Sequence, residues 1–288
     1  MSNPADIERK ARKSSKGLFR FFFGGADEDA HDLFNQAANL YKQQKQWKDA
    51  ARCYLEAAAK GEKENEHIFA ASNLHIDPLM RAANIYNQQG RFAQSGRIMK
   101  IAAEEFEAKG DHLNAIDFYL KAAEFYELDE FGKVAGSQAR LKYAELASQY
   151  AEKYADAIKI FETEGHKNLK NQLLQYGVKD IFLKAGILHL VACDATDAQI
   201  AYNKYAEADP KFAPSREGQF LSAIISSCDA EDGELFQKAI ADFDAIARLD
   251  PWKVHMLIKI KATLPAARDD VGAPPAEDGD SDDEIDLT

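Results

Sequence analysis

Between residues 30 and 200 the apolar side chains recur at three- and four-residue steps, and few stretches alternate apolar and polar at period two. Ala, Leu, Gln, Glu and Lys dominate this stretch, and all of them favour helix. The pattern predicts an all-α chain. A second period lies on top of the first. Small residues recur in pairs thirteen apart: Ala37 and Ala50, Ala82 and Ser95, Ala102 and Ala115, Ala122 and Ala135, Ala144 and Ala157, Ala185 and Ala198, with a fainter pair at Ala57 and Ala70. In several pairs a bulky residue stands ten after the first: Trp47, Phe92 and Tyr154. Thirteen residues cover one helix face, a short turn and the facing residue of the next helix. Each pair therefore marks a crossing where two backbones approach closely.

The stretch AANLYKQQKQWKDAARCYLEAA shows the unit, and AANIYNQQGRFAQSGRIMKIAAEEF repeats it with Gly90 in the turn. This is the signature of tetratricopeptide-like helical hairpins. One hairpin cannot bury its apolar face alone, so neighbours stack into a solenoid, a twisted sheet of helices. An ordinary helical bundle is the competing architecture; a phase sustained over about 160 residues favours the solenoid. After Pro210 the rhythm changes, and residues 215–228, 233–248 and 251–264 read as three helices of a C-terminal helical bundle. Asp250 and Pro251 mark the last start, as N-cap and first helical residue. The expected organisation is a basic N-terminal segment with an aromatic loop (1–28), a solenoid (29–210), a C-terminal bundle (211–265) and a flexible acidic tail (266–288).

Charge divides the chain further. Its 288 residues carry 36 Lys+Arg against 48 Asp+Glu, a net charge of -12. Residues 1–25 hold six basic and two acidic residues, whereas residues 265–288 hold nine acids and only Arg268. An acidic whole argues against nucleic-acid binding, which depends on neutralising phosphates. Opposite-signed ends suggest either two different partners or two solubilising tails. No apolar run approaches the ~20 residues of a spanning helix. The three cysteines, Cys53, Cys193 and Cys228, are few and far apart, and read as reduced cytosolic thiols. The chain shows no phosphate-binding glycine loop, no metal-ligand spacing and no nucleophile motif. His189, in the apolar run GILHLVAC, reads as a core residue. The expectation is a non-enzyme that works by contact, without metal or cofactor.

Three features carry chemistry suited to contact. In GLFRFFFGG, Phe19, Phe21, Phe22 and Phe23 crowd between basic residues and two glycines. They are either a staple buried in the core or a loop that dips into a bilayer. The flanking positive charge favours the bilayer, since each Lys or Arg near anionic lipid contributes ~1 kcal/mol. A set of basic residues, Arg91, Arg97, Lys142, Lys179 and Lys184, sits within an otherwise acidic solenoid. It is either a stripe that steers an acidic elongated partner or a scatter of solvated side chains. The end, DSDDEIDLT, sets Ile285 and Leu287 in an acidic tail, which is either a tethered short motif or a solvated terminus.

In this order the features resemble the alpha-type soluble NSF attachment proteins, the SNAP adaptors of membrane fusion. The likeness covers nearly the whole chain. GLFRFFFGG is similar to the family's N-terminal FF-x-GLFGG loop. GRFAQSGR (90–97), LLQYGVKDIFLKAGILHL (173–190) and DAIARLDPW (244–252) resemble its repeats and C-terminal bundle. The resemblance implies an adaptor, peripheral to membranes in the cytoplasm, that binds the SNARE four-helix bundle and recruits and stimulates the hexameric ATPase NSF. It implies SNARE contacts at Arg91, Arg97, Lys142, Lys179 and Arg216. One further family lysine falls on Gln138, with Arg140 nearby. It implies ATPase contacts at Asp194, Asp229, Asp286 and Leu287. Two family glutamates fall on Ser226 and Ala230, with Glu231 and Asp232 beside them, and the family's last basic residue is Thr288 here. The alternative is a tetratricopeptide-type scaffold or co-chaperone that clamps extended peptides.

Overall fold

The computed structural model describes residues 3–14, 26–65, 76–172, 174–192 and 194–265. The aromatic-loop residues Phe19, Phe21, Phe22 and Phe23, and the tail residues Asp286 and Leu287, lie outside these. Among the described residues the chain is all-α, consistent with a tetratricopeptide-like helical-hairpin solenoid. The helices are α1 Pro4–Ser14, α2 Ala26–Gln43, α3 Trp47–Asn65, α4 Ile76–Gln88, α5 Phe92–Ala108, α6 His112–Glu127, α7 Lys133–Tyr150, α8 Tyr154–Leu169, α9 Val178–Ala192, α10 Ala195–Ala208, α11 Arg216–Asp229, α12 Gly233–Ile246 and α13 Pro251–Lys261.

Each helix from α1 to α11 packs on the next in the chain. The thirteen-residue pairs sit at these crossings. Ala37 and Ala50, Ala82 and Ser95, Ala102 and Ala115, Ala144 and Ala157, and Ala185 and Ala198 are all fully buried. Ala135 is half-buried against the same core, and Ala70 lies outside the described residues. Ser95 needs a partner in this apolar seam and finds one: its hydroxyl donates to the Ala83 carbonyl at 2.8 Å. The bulky Trp47, Phe92 and Tyr154 are the first residues of α3, α5 and α8, where they close the hairpin ends.

The turns repeat as well. Lys45, Gly90, Gly110, Glu152 and Glu231 each adopt the left-handed conformation two residues before the next helix. After four of them an amide reaches back five residues, as from Arg91 to Tyr86 and from Asp111 to Phe106, both at 2.9 Å. This is the Schellman bond, which satisfies a carbonyl that the ending helix leaves open. Gly90 and Gly110 enter the conformation without the Cβ penalty that the other three bear.

Two large apolar clusters meet on α7, one from Ala37 to Ala147 and the other from Ala144 to Ile260, and a small third, Ala11, Phe34 and Ala57, joins α1 to α2 and α3. Thus α8 and α9 share a core with the C-terminal helices. Those three helices fall where periodicity sets them, and Asp250 caps α13 by accepting the Lys253 amide at 2.8 Å. Helix α13 folds back on α7 and α9. Trp252 donates its indole N–H to the Glu145 carbonyl at 3.0 Å and packs edge-on to Phe161. His189 is half-buried, with Nε2 at 3.2 Å from Glu162.

Helix α1 is a docked element within the basic N-terminal segment. Its Glu8 is buried and accepts from both Arg52 Nη atoms, from Arg12 Nε at 3.0 Å and from the Tyr41 hydroxyl at 3.0 Å. The Arg52 guanidinium is the main cause that holds the Glu8 carboxyl down at about 2, against the opposing effect of burial. Because the folded pKa is depressed, this contribution is complete above the unfolded value near 4.5 and fades as pH falls through about 2. Glu8→Gln is therefore expected to lower stability by about 1–3 kcal/mol at neutral pH. Denaturant titrations should show the wild-type advantage shrinking between pH 4.5 and pH 2; an advantage independent of pH contradicts this role.

Candidate functional site

The basic residues expected to meet an acidic rod occupy every second helix. Arg97 is on α5, with Arg91 at its N-cap; Lys142 is on α7, Lys179 on α9 and Arg216 on α11. In a stack of antiparallel neighbours, alternate helices hold equivalent places, so the alternation sets these side chains in one layer. It arises from sequence: each helix pair takes about forty residues, and the basic positions recur once per pair.

Their surroundings differ. Arg91 is exposed and lies over the Tyr86 ring, 5.2 Å from its centroid. Arg97 is exposed on α5 and lowers the Tyr126 hydroxyl pKa, while burial keeps that pKa above its ordinary value. Lys179 is half-buried in the first turn of α9 and forms no ion pair among the described residues. Arg216 is exposed and pairs with its neighbour Glu217 at 2.7 Å. Lys142 is already engaged, with its Nζ 2.7 Å from Glu107, which also accepts from the Tyr119 hydroxyl at 2.9 Å.

Two other basic residues of the sequence reading are structural. Lys184 is largely buried, 2.6 Å from Glu145 and 3.2 Å from Asp180, where those carboxylates keep its pKa above the ordinary value despite burial. Beside it Lys253 bridges Asp180 and Asp250, both at 2.6 Å. These pairs tie α13 to α9 and α7. Arg140, close to Gln138 on α7, pairs with Glu127 and, at 2.8 Å, with the buried Glu164. Burial drives the Glu164 pKa up, but the neighbouring Ser137, Lys167 and Arg140 more than offset it and hold the carboxyl low.

The described acidic positions, Asp194 and Asp229, lie at helix ends. Asp194 caps α10, accepting the Asp197 amide at 2.8 Å. Asp229 is exposed at the end of α11, followed by the left-handed Glu231 and by Asp232, which caps α12 through the amides of Glu234 and Leu235 at 2.9 Å. The α11–α12 turn thus displays Asp229, Glu231 and Asp232 within four residues, whereas Asp194 lies at the α9–α10 turn. Among the described residues there is no group of three His, Cys, Asp or Glu able to hold a metal ion, and no helix long and apolar enough to cross a membrane.

Sequence reasoning missed the buried polar group around Glu164. A signal was present: Phe161, Glu164, Gly165 and Asn168 share one helix face, and all four are buried. Two polar residues on an apolar stripe mark a site that needs partners.

The soluble NSF attachment protein (SNAP) family matches residues 2–265. The chain belongs to this family. It is 33% identical to the alpha-soluble NSF attachment protein of Vitis vinifera, covering 91% of this chain and 94% of that one. It is 32% identical to the beta-soluble NSF attachment protein of Bos taurus, over 90% and 92% of the two chains. It is 30% identical to a probable vesicular-fusion protein, a sec17 homolog, of Schizosaccharomyces pombe, over 94% and 99%. Alpha and beta relatives are nearly equidistant, so overall identity does not separate the two subtypes in this SNAP.

Engaged and free basic residues should separate in stability. Arg140→Met removes one of the partners of the buried Glu164, leaving Lys167 at 3.0 Å, and is expected to cost about 1–3 kcal/mol. Arg97→Ala should change stability by less than about 0.5 kcal/mol. Urea unfolding of the two variants checks this; equal effects would remove the distinction.

Proposed function

We propose that the chain is an adaptor that binds assembled SNARE complexes and recruits and stimulates the NSF ATPase, which disassembles them in vesicle fusion and intracellular transport. The observation that carries this reading is the family match along nearly the full chain. The placement of the basic residues supports it. Arg91, Arg97, Lys179 and Arg216 sit on alternate helices, so a rod-shaped acidic bundle laid across the stack meets one basic position at each step. Lys142 joins them by exchanging Glu107 for a carboxylate of the bundle. Contact of this kind reads charge and shape more than sequence, so it accepts many SNARE combinations.

Attachment works by valency. The aromatic cluster Phe19, Phe21, Phe22 and Phe23, which follows basic α1 in the sequence, docks the protein reversibly on a cytoplasmic membrane surface. Docking raises the local concentration of membrane-anchored SNAREs, so weak contacts suffice. At the other end Asp194, Asp229, Asp286 and Leu287 face the ATPase hexamer. The adaptor itself performs no covalent step; the work of pulling the bundle apart comes from ATP hydrolysis by its partner.

Arg97→Glu combined with Lys179→Glu is expected to weaken binding to assembled SNARE bundles about tenfold or more at low salt. Wild-type binding should fall as ionic strength rises. A pull-down with soluble SNARE complexes measures both. Undiminished binding by the double variant overturns the basic-layer reading.

A further inference from the structure

Three lysines, on α7, α9 and α13, already meet carboxylates of the chain: Lys142 meets Glu107, Lys184 meets Glu145, and Lys253 meets Asp180 and Asp250. Two of them lie deep. The Lys184 and Lys253 side chains are 13% and 8% exposed, and their pairs tie helices together. The third pair is different: the Lys142 and Glu107 side chains are 37% and 29% exposed, so an incoming partner reaches both. Arg97 stands on α5 and Lys179 on α9, the alternate helices to either side of α7, and neither forms an ion pair among the described residues. Of these three basic positions, only the middle one is already held by an acid.

The acid is also held from behind. One Glu107 oxygen faces the Lys142 ammonium at 2.7 Å, while the other, Oε2, accepts from the Tyr119 hydroxyl at 2.9 Å. Tyr119 is buried on α6, and burial foremost, with the bond to Glu107 second, pushes its hydroxyl pKa up. The hydroxyl therefore stays a donor. If Lys142 turns outward, Glu107 keeps this bond and gains water at the oxygen that Lys142 leaves, so the exchange strands no buried charge. A partly exposed pair of this kind is weak enough to open.

We propose that Glu107 is a built-in competitor for the SNARE bundle: a carboxylate of the chain itself that holds Lys142 until an acidic rod displaces it, and takes it back when the rod leaves. The inference rests on the adaptor reading and names the residue that limits the grip. Glu107 works in two ways. It occupies the ammonium, and once displaced it stands as a like charge beside the incoming acids. The middle contact is thus made late. Arg97 and Lys179 meet the rod first, and Lys142 changes partner only where the acidic surface continues across α7. It is also lost early, because each rod carboxylate that moves away is replaced from within. A contact that has to end when the bundle is pulled apart is served by such a competitor, which speeds release without a conformational change in the stack.

The test follows full-length protein leaving immobilised soluble SNARE complexes at low salt, in real time. Glu107→Gln removes the charge and keeps an acceptor for Tyr119. It is expected to slow dissociation about fivefold, with a smaller change in the association rate. In a Lys142→Met background the same substitution should change dissociation by less than about twofold, because the two residues act as a pair. Glu104→Gln, on the same helix and paired with Lys100 at 3.4 Å, controls for loss of one negative charge and should also stay within about twofold. Urea unfolding of the same variants separates a mere brace from a competitor: a pair that only ties α5 to α7 makes Glu107→Gln less stable and no slower to leave. Unchanged dissociation in Glu107→Gln, a gain that survives Lys142→Met, or an equal gain in Glu104→Gln overturns the competitor while leaving the adaptor reading in place. Wild-type protein that does not bind the complexes at all overturns both.

Discussion

Close approach of neighbouring helices at small residues is the constraint on which the rest of the structure depends. At five of the seven thirteen-residue crossings both helices present Ala or Ser with no exposed surface, so backbones meet where a larger side chain finds no room. The spacing of the stack is thus set by packing, and pairs such as Lys142–Glu107 and Arg140–Glu127 add polar ties between its helices. Where the spacing changes, glycine takes over. A Cβ on Gly165 would lie 2.5 Å from the Phe182 ring, and one on Gly186 would lie 2.3 Å from Leu221. These two glycines bring α8, α9 and α11 together, and there the regular stack passes into the C-terminal group.

Fixed spacing has a functional consequence. An adaptor that grips a rod needs its contact residues held at regular intervals before the rod arrives, since ordering them on binding costs affinity. The repeating Schellman turns and the buried small pairs supply that order around Arg91 and Arg97, two of the residues proposed to meet the rod. At the C-terminal end the order has another source. Trp252, Lys253 and Lys184 bind α13 to α7 and α9, so the acidic α11–α12 turn is carried on a group whose core is continuous with α8 and α9.

Much of this was legible in the sequence because it is local. Helical periodicity, the thirteen-residue phase and the Asp250-Pro251 cap each involve residues close in the chain, and each is found where periodicity or spacing sets it. The family followed from short collinear motifs. What was not legible depends on partners far apart in sequence. Glu8 meets Arg52 across 44 residues, which turns a basic segment into a docked helix. Trp252 meets Ser148 across 104. Charge type did not reveal that Arg140 and Lys184 are consumed by internal carboxylates while Arg97 forms no ion pair among the described residues. The buried polar group around Glu164 joins α7 to α8, and no single stretch announces it beyond the polar residues on the buried face of α8.

The most direct test of the central constraint is the stability of two leucine substitutions on one helix. Ala102 lies fully buried at the α5–α6 crossing, and Ala108 is exposed at the end of α5. Urea denaturation should show Ala102→Leu losing about 2 kcal/mol or more through overpacking, with Ala108→Leu within about 0.5 kcal/mol of the parent. If Ala102→Leu were as stable as Ala108→Leu, the crossings would have room to spare, and close approach at small residues would not be what holds the stack.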